Sequence, residues 1–315
     1  MKISESKNKA FRLHGYGGPA MIQLDEISVP TPGPGQVLVS VKAVGINSFD
    51  WKLREGFLRQ AFPLALPAIL GVEFAGEIVE LGSDVKRFAA GDRVMTLLHG
   101  LGAYAEYIAV DESVLCRIPE ALSDIEATAL PISVQTAWEA LLAAGEPLPG
   151  MKVLIQGGAG AVGGFAVQFA KSSGATVIVT AAAKTRDYVI ALGADEVIDY
   201  RTERFEDRVK DVDLVLDFVG GEMIERSWSV LIAGGAIVTV NSPDIGAKAP
   251  SGFRGLFARA QPAPARLAKT AQLVAAGKVR STIAHVFTLN QLLDAIACNR
   301  AGHAPGKIVV DFTRE

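Results

Sequence analysis

Val153-Leu154-Ile155-Gln156-Gly157-Gly158-Ala159-Gly160-Ala161-Val162-Gly163-Gly164 reads as an apolar strand that breaks into a glycine loop and then opens a helix reaching Lys171. Gly158, Gly160 and Gly163 have the G-x-G-x-x-G spacing of a dinucleotide-binding turn. In such a turn the first glycine permits the tight reversal, the second lets the backbone approach a pyrophosphate, and the third lets helix and strand pack closely. Backbone N–H groups of Ala161, Val162 and Gly163 would then face the phosphates, with the positive end of the helix dipole behind them. A glycine-rich turn in some other α/β domain would share the spacing. The strand before the loop, the helix after it and a second strand from Thr176 to Thr180 favour dinucleotide binding.

Outward from this stretch, strands and helices alternate: Lys152–Gln156, Val162–Ser173, Thr176–Thr180, Arg186–Leu192, Glu196–Asp199, Leu214–Phe218, Gly221–Leu231 and Ala236–Val240. That alternation predicts a doubly wound parallel sheet. Ile125 to Ala144 has helical spacing broken near Pro131. Residues 244 to 264 are rich in Gly, Pro and Ala and read as a loop or partial lid. Ala265 to Ala276 reads as a helix, and Lys307 to Phe312 as a final strand. Residues 10 to 120 instead hold short strands with turn punctuation, including Val37–Val44, Phe74–Leu81, Arg93–Leu98 and Tyr104–Val110, which predicts a β-barrel-like N-terminal domain.

The 315 residues suffice for two domains, and 50% hydrophobic with 21% charged residues supports a packed core over disorder. A formal net charge of −3 with no dense basic stripe argues against nucleic-acid binding. Cys116 and Cys298 form neither a disulfide framework nor a metal knuckle, which suits a reducing, cytoplasmic setting. Met1 to Lys9 is polar and lacks the apolar segment of a signal peptide. No apolar run approaches the ~20 residues of a membrane span, so the mean hydropathy of +0.29 reflects a buried sheet. His14, His99, His285 and His303 fit no hydrolase arrangement.

The chain resembles the medium-chain dehydrogenase/reductase superfamily, and within it the zinc-independent quinone oxidoreductase and enone reductase branch. The resemblance spans nearly the whole chain and is carried by Ala43-Val44-Gly45-Ile46-Asn47-Ser48-Phe49-Asp50-Trp51-Lys52, Leu70-Gly71-Val72-Glu73-Phe74-Ala75-Gly76, Gly91-Asp92-Arg93-Val94, Gly102-Ala103-Tyr104-Ala105-Glu106-Tyr107, Thr136-Ala137-Trp138, the glycine loop, Leu192-Gly193-Ala194-Asp195-Glu196-Val197-Ile198-Asp199-Tyr200 and Gly306-Lys307-Ile308-Val309. It implies a GroES-like β-barrel domain over residues 1–122 and 282–315, a Rossmann NADP(H)-binding domain over 123–281, and an active site in the cleft between them. It also implies a homodimer joined near the sheet edge at Ala236–Val240. An unpaired sheet edge invites such pairing.

Zinc-dependent relatives place a Cys where this chain has Asn47, a His where it has Val72 and a further Cys near Ile132. Glu73, His99 and Cys116 follow no ligand spacing, so no metal is expected. Without a Lewis acid, alcohol oxidation lacks a means to stabilise an alkoxide. A quinone or an α,β-unsaturated carbonyl delocalises the incoming charge itself.

Cofactor choice follows from the end of the second strand. NAD-binding versions carry an Asp or Glu there, ~20 residues after the loop, to bind the ribose 2′-OH. Thr180-Ala181-Ala182-Ala183-Lys184-Thr185-Arg186 has none, and Lys184 and Arg186 can bond a 2′-phosphate; the plainer alternative is that both are solvated surface charges, and the missing acid favours NADP(H). The resemblance adds Tyr200 beside that phosphate, Thr136 near the nicotinamide-side phosphates, and Phe218, Val219, Gly220, Val240 and Asn241 along the nicotinamide half.

The catalytic candidates are Asn47, Asp50 and Lys52. Asn47 can hydrogen-bond the cofactor ribose or the substrate carbonyl. Lys52 can stabilise a developing enolate oxygen, or simply cover Trp51 with its stem. Asp50 can orient Lys52 or cap the helix that follows. Trp51, Phe57 and Phe62 read as core more readily than as pocket walls. The function expected is NADPH-dependent hydride transfer to a quinone or to the C=C of an enone or enal. The alternatives are a zinc-free carbonyl reductase and a non-catalytic, redox-sensing NADPH-binding protein.

Overall fold

In the computed structural model residues 7–145, 149–302 and 305–314 are described. Residues 1–6 of the polar N-terminal run, and His303, lie outside them.

The first strand, β1 (Lys7–Leu13), pairs antiparallel with β2 (Ile22–Ser28) and with β4 (Ala68–Ile69) in a small sheet. The long strand β3 (Gln36–Ile46) is buried on both faces through most of its length, which explains its nearly continuous apolar sequence. It runs straight into α1 (Ser48–Arg54). Strands β5 (Glu73–Leu81), β6 (Arg93–Leu97), β7 (Tyr107–Asp111) and β8 (Cys116–Arg117) follow, then α2 (Asp124–Thr128) and α3 (Pro131–Ala143). Pro131 at the first position of α3 is compatible with a helix start, since its missing N–H would have had no intrahelical partner.

Next come β9 (Lys152–Gln156), α4 (Ala161–Ser172), β10 (Thr176–Ala181), α5 (Arg186–Ala191), β11 (Glu196–Asp199), α6 (Phe205–Arg208), β12 (Val212–Asp217), α7 (Glu222–Ser227), β13 (Leu231–Thr239), α8 (Ile245–Lys248) and β14 (Arg254–Phe257). The six strands form one parallel sheet in the order β11-β10-β9-β12-β13-β14, the doubly wound dinucleotide-fold order. The chain ends with α9 (Pro264–Ala275), β15 (Ile283–Thr288), α10 (Leu292–Ala301) and β16 (Lys307–Asp311), and β16 pairs antiparallel with β3.

Two compact units result: Met1–Ile132 with Pro262–Ala276 and Ile283–Glu315, and Ser133–Gln261 with Gly277–Thr282. These differ from the boundaries read in the sequence. Helix α2 stays with the first unit because it packs on β3, β5 and β16, and the buried Thr128 hydroxyl donates to the Ala43 carbonyl at 3.1 Å. Helix α9 joins the same unit by packing on β8.

Two further expectations are corrected. The 244–264 stretch is not simply a loop: it contains α8 and β14. Strand β13 is therefore no sheet edge, because β14 pairs along its outer side from Ala236↔Arg254 to Thr239↔Phe257. The Gly, Pro and Ala flanks concealed a four-residue strand too short to show a period.

The glycine loop assigns its roles differently from the bare motif. The left-handed residue is Gly157, with φ of 79°, not Gly158. Gly158 instead clears the Val179 side chain. Gly163 does what its position suggests: a Cβ there would strike the Gly157 carbonyl and sit 2.7 Å from Gly158 Cα. A Cβ at Gly160 meets nothing closer than the Gly157 carbonyl at 3.4 Å. Gly163→Ala should therefore destabilise by about 1–3 kcal/mol through overpacking against rigid backbone. Gly160→Ala, at the N-cap of α4, should change stability by less than about 1 kcal/mol. Urea unfolding of the two variants checks the contrast.

Candidate active site

In the second unit the site is the carboxyl edge of the parallel sheet. Gly160 is the N-cap of α4 and carries no side chain to satisfy its orphan donors. The first intrahelical bond runs from Gly164 N–H to the Gly160 carbonyl at 2.9 Å. The N–H groups of Ala161, Val162 and Gly163 precede it, so they have no helical acceptor. An open approach at Gly160 over three such donors is a cradle that fits a dinucleotide pyrophosphate.

Lys184 lies on the exposed turn after β10, and Arg186 opens α5. The Arg186 guanidinium donates to the Val197 carbonyl at 3.0 Å, which holds it against β11. Tyr200, just past β11, is half exposed, with the Arg201 guanidinium 5.9 Å from its ring centroid. Lys184 and Arg186 follow β10 and Tyr200 follows β11, its parallel neighbour. Thr136 is buried on α3. Phe218, Val219 and Gly220 form the turn after β12, and Val240 and Asn241 the exit from β13.

In the first unit the site is a buried polar cluster at the ends of β3, β5 and β16. Lys307 opens β16 and Glu73 opens β5; both side chains are fully buried. The Lys307 ammonium lies 2.5 Å from Glu73 Oε1 and donates to Asn47 Oδ1 at 2.5 Å. Asn47 Nδ2 donates to Glu73 Oε1 at 3.0 Å, and Glu73 Oε2 accepts the Ile132 N–H at 2.8 Å. That last bond satisfies an orphan donor in the first turn of α3. Gly45 leaves the room: a Cβ there would overlap Glu73 and sit 2.8 Å from Lys307 Cε. Both ends of the Asn47 amide are thus engaged within the protein.

Asp50 is the third residue of α1 and closes a capping box with Asn47, the N-cap. It is fully buried, and its Oδ2 accepts the Asn47 N–H at 2.7 Å. Burial pushes its carboxyl up to about 7. The Tyr104 hydroxyl faces it without closing a short hydrogen bond, leaving both Asp50 Oδ1 and the hydroxyl unpartnered and buried. Burial and the Asp50 charge hold that phenol well above its usual range. Gly71, with φ of 84°, makes room for the Tyr104 ring.

Lys52 sits one turn along α1, half-buried, with Nζ 5.6 Å from the Trp51 ring centroid. Burial lowers its pKa from the ordinary lysine value. Phe62 packs against the core of this unit, but Phe57 is 69% exposed and is held edge-on to Trp51 at 6.2 Å. Phe57 is therefore a surface residue and not core.

The sequence reading missed Glu73 as anything but a failed metal ligand, and missed Tyr104, Lys307 and Asp217. Their signal was local. Each is a polar residue in an otherwise buried strand or motif, where burial demands a partner. Among the described residues no group of three or more His, Cys, Asp or Glu could hold a metal ion.

Residues 33–120 match the alcohol dehydrogenase GroES-like domain and residues 192–310 the zinc-binding dehydrogenase family. The chain is 33% identical to the chloroplast envelope quinone oxidoreductase homolog of Arabidopsis thaliana, over 96% of this chain and 98% of that protein. It is also 33% identical to the NADPH-dependent alkenal/one oxidoreductase of the same plant, over 96% of this chain and 79% of that one. The solved quinone oxidoreductase of Coxiella burnetii superposes with a TM-score of 0.92 at 34% identity, covering 98% of this chain and 100% of that one.

Two outcomes follow from the buried cluster. Lys307→Met should cost about 3–5 kcal/mol by stranding Glu73, and Glu73→Gln added to it should recover part of that loss; denaturant midpoints of single and double variants test this. Asp50 ionises at a higher pH in the folded than in the unfolded chain. It therefore contributes nothing below pH 3.8 and an increasing destabilisation as pH rises to about 7. Asp50→Asn should flatten that part of the stability–pH curve, and an unchanged curve would refute the burial effect.

Proposed function

Since the chain belongs to the zinc-independent quinone and enone oxidoreductase branch of the medium-chain dehydrogenase/reductase superfamily, we propose that it is an NADPH-dependent reductase of quinones or of the C=C bond of α,β-unsaturated carbonyls. The observation that carries the cofactor half is the glycine turn, whose three open N–H groups under an unobstructed Gly160 suit a pyrophosphate. Relatives named for quinone and alkenal/one reduction support the substrate half.

When bound, the nicotinamide supplies a hydride. The chain's own groups do the rest. Ala161, Val162 and Gly163 bind the pyrophosphate through backbone N–H groups. Lys184, Arg186 and Tyr200 hold the 2′-phosphate, and no carboxylate stands at the end of β10 to favour an unphosphorylated ribose. Thr136, Phe218, Val219, Val240 and Asn241 line the remainder of the cofactor. Lys52 places a partly desolvated ammonium where the substrate oxygen gains negative charge, and a cation in that setting stabilises charge more than it would in water. Asn47, locked by Glu73 and Lys307, sets the start of the helix that carries Lys52. Asp50 is wholly buried and acts on the helix, not on substrate. A proton from water or a side chain completes the reduction.

Both cysteines are free thiols, consistent with a reducing, cytoplasmic setting. We assign a homodimer contact to β14, the outer strand of the parallel sheet, where Phe257 is 39% exposed.

The test is steady-state oxidation of NADPH and NADH with a quinone and a cyclic enone. NADPH should be preferred, and Lys184→Ala with Arg186→Ala should raise KM for NADPH while sparing NADH. Lys52→Ala should lower kcat/KM for the enone about 100-fold; an unchanged value removes Lys52 from the chemistry.

A further inference from the structure

Asp217 ends β12 with its side chain completely buried, and among the described residues it forms no ion pair with a cation. Burying a carboxylate without a cation is costly unless hydrogen bonds replace its water. Here three do. Oδ1 accepts the Val219 N–H at 3.1 Å and the Gly220 N–H at 2.9 Å, and Oδ2 accepts the Thr239 hydroxyl at 2.6 Å. Thr239, also buried, ends the neighbouring strand β13 in register with Asp217. Its hydroxyl oxygen in turn accepts the Asn241 N–H at 3.1 Å.

One carboxylate therefore ties together two loops that leave adjacent strands. The 218–220 turn cannot relax by itself. Gly220 is left-handed, with φ of 84°, and a Cβ on it would lie 2.9 Å from Asn241 Cβ. On the other side a Cβ on Gly157 would lie 3.0 Å from Val219 Cγ2. The turn after β12 is thus held between the glycine loop and the exit of β13, with Asp217 beneath it.

We propose that Asp217 and Thr239 are positioning residues, a buried latch that sets the affinity for the nicotinamide half of the cofactor without touching it. The inference rests on the dinucleotide reading above, and it locates control of nicotinamide binding in two side chains below the loops. The adenosine half is held elsewhere, at the ends of β10 and β11, so the latch should leave it alone.

The experiment is a titration of wild type, Thr239→Val, Asp217→Ala and Asp217→Asn with NADPH, followed by its fluorescence, and with 2′,5′-ADP, followed by calorimetry. Losing the two hydrogen bonds of the Thr239 hydroxyl, or the three of the Asp217 carboxylate, should weaken NADPH about tenfold or more, with 2′,5′-ADP within about twofold of wild type. Asp217→Asn keeps an oxygen for the two N–H donors and can donate to Thr239, so it should restore most of the NADPH affinity. If the Ala variant does not fold, Thr239→Val carries the comparison. Parallel weakening of both ligands, or no weakening of either, in a protein whose wild type binds both overturns the latch alone. A wild type that binds neither ligand overturns the dinucleotide reading and the latch with it.

Discussion

The ion pair between Lys307 and Glu73 is the constraint on which the first unit's site depends. It joins the opening residue of β5 to the opening residue of β16, far apart in the chain and both buried. A buried pair of this kind adds little net stability compared with apolar packing, but losing one partner is severe. Its value is positional. The same Glu73 carboxylate orients Asn47 and satisfies Ile132 N–H, and Asn47 in turn donates its N–H to Asp50. Lys52 is carried on the helix so defined.

The second unit rests on steric exclusion instead of charge. Gly163 must lie against the Gly157 carbonyl, and Gly220 against Asn241. These contacts leave the carboxyl edge of the sheet free of side chains where backbone donors are needed. Small residues thus keep that edge clear, and the buried Asp217 and Thr239 bond the loops beside it.

The parallel sheet was legible because its central strands are buried apolar runs: β9 falls on the residues its sequence suggests, and the short edge strand β11 falls where the β-α-β alternation places it. Strand β14 was not, since four residues flanked by glycine and proline have no readable period. The motif spacing pointed to Gly158, Gly160 and Gly163, yet the left-handed turn falls one residue earlier, at Gly157, because spacing does not reveal φ. The place of Asp50 at the start of the helix was legible, because its bond to Asn47 N–H spans only three residues. The partners of Asn47 were not, because Glu73 and Lys307 are brought together only by the pairing of β3 with β5 and β16. Phe57 looked like core by its type, and its exposure is a property of the loop after α1.

The most direct measurement is the position of deuterium after an α,β-unsaturated ketone is turned over with NADPH deuterated at C4, in the presence of a strong metal chelator. Deuterium on the β-carbon of a saturated ketone, at a rate unaffected by the chelator, is the expected result. Deuterium on the carbonyl carbon of an alcohol, or a reaction that stops on chelation, would contradict zinc-independent reduction of an activated double bond.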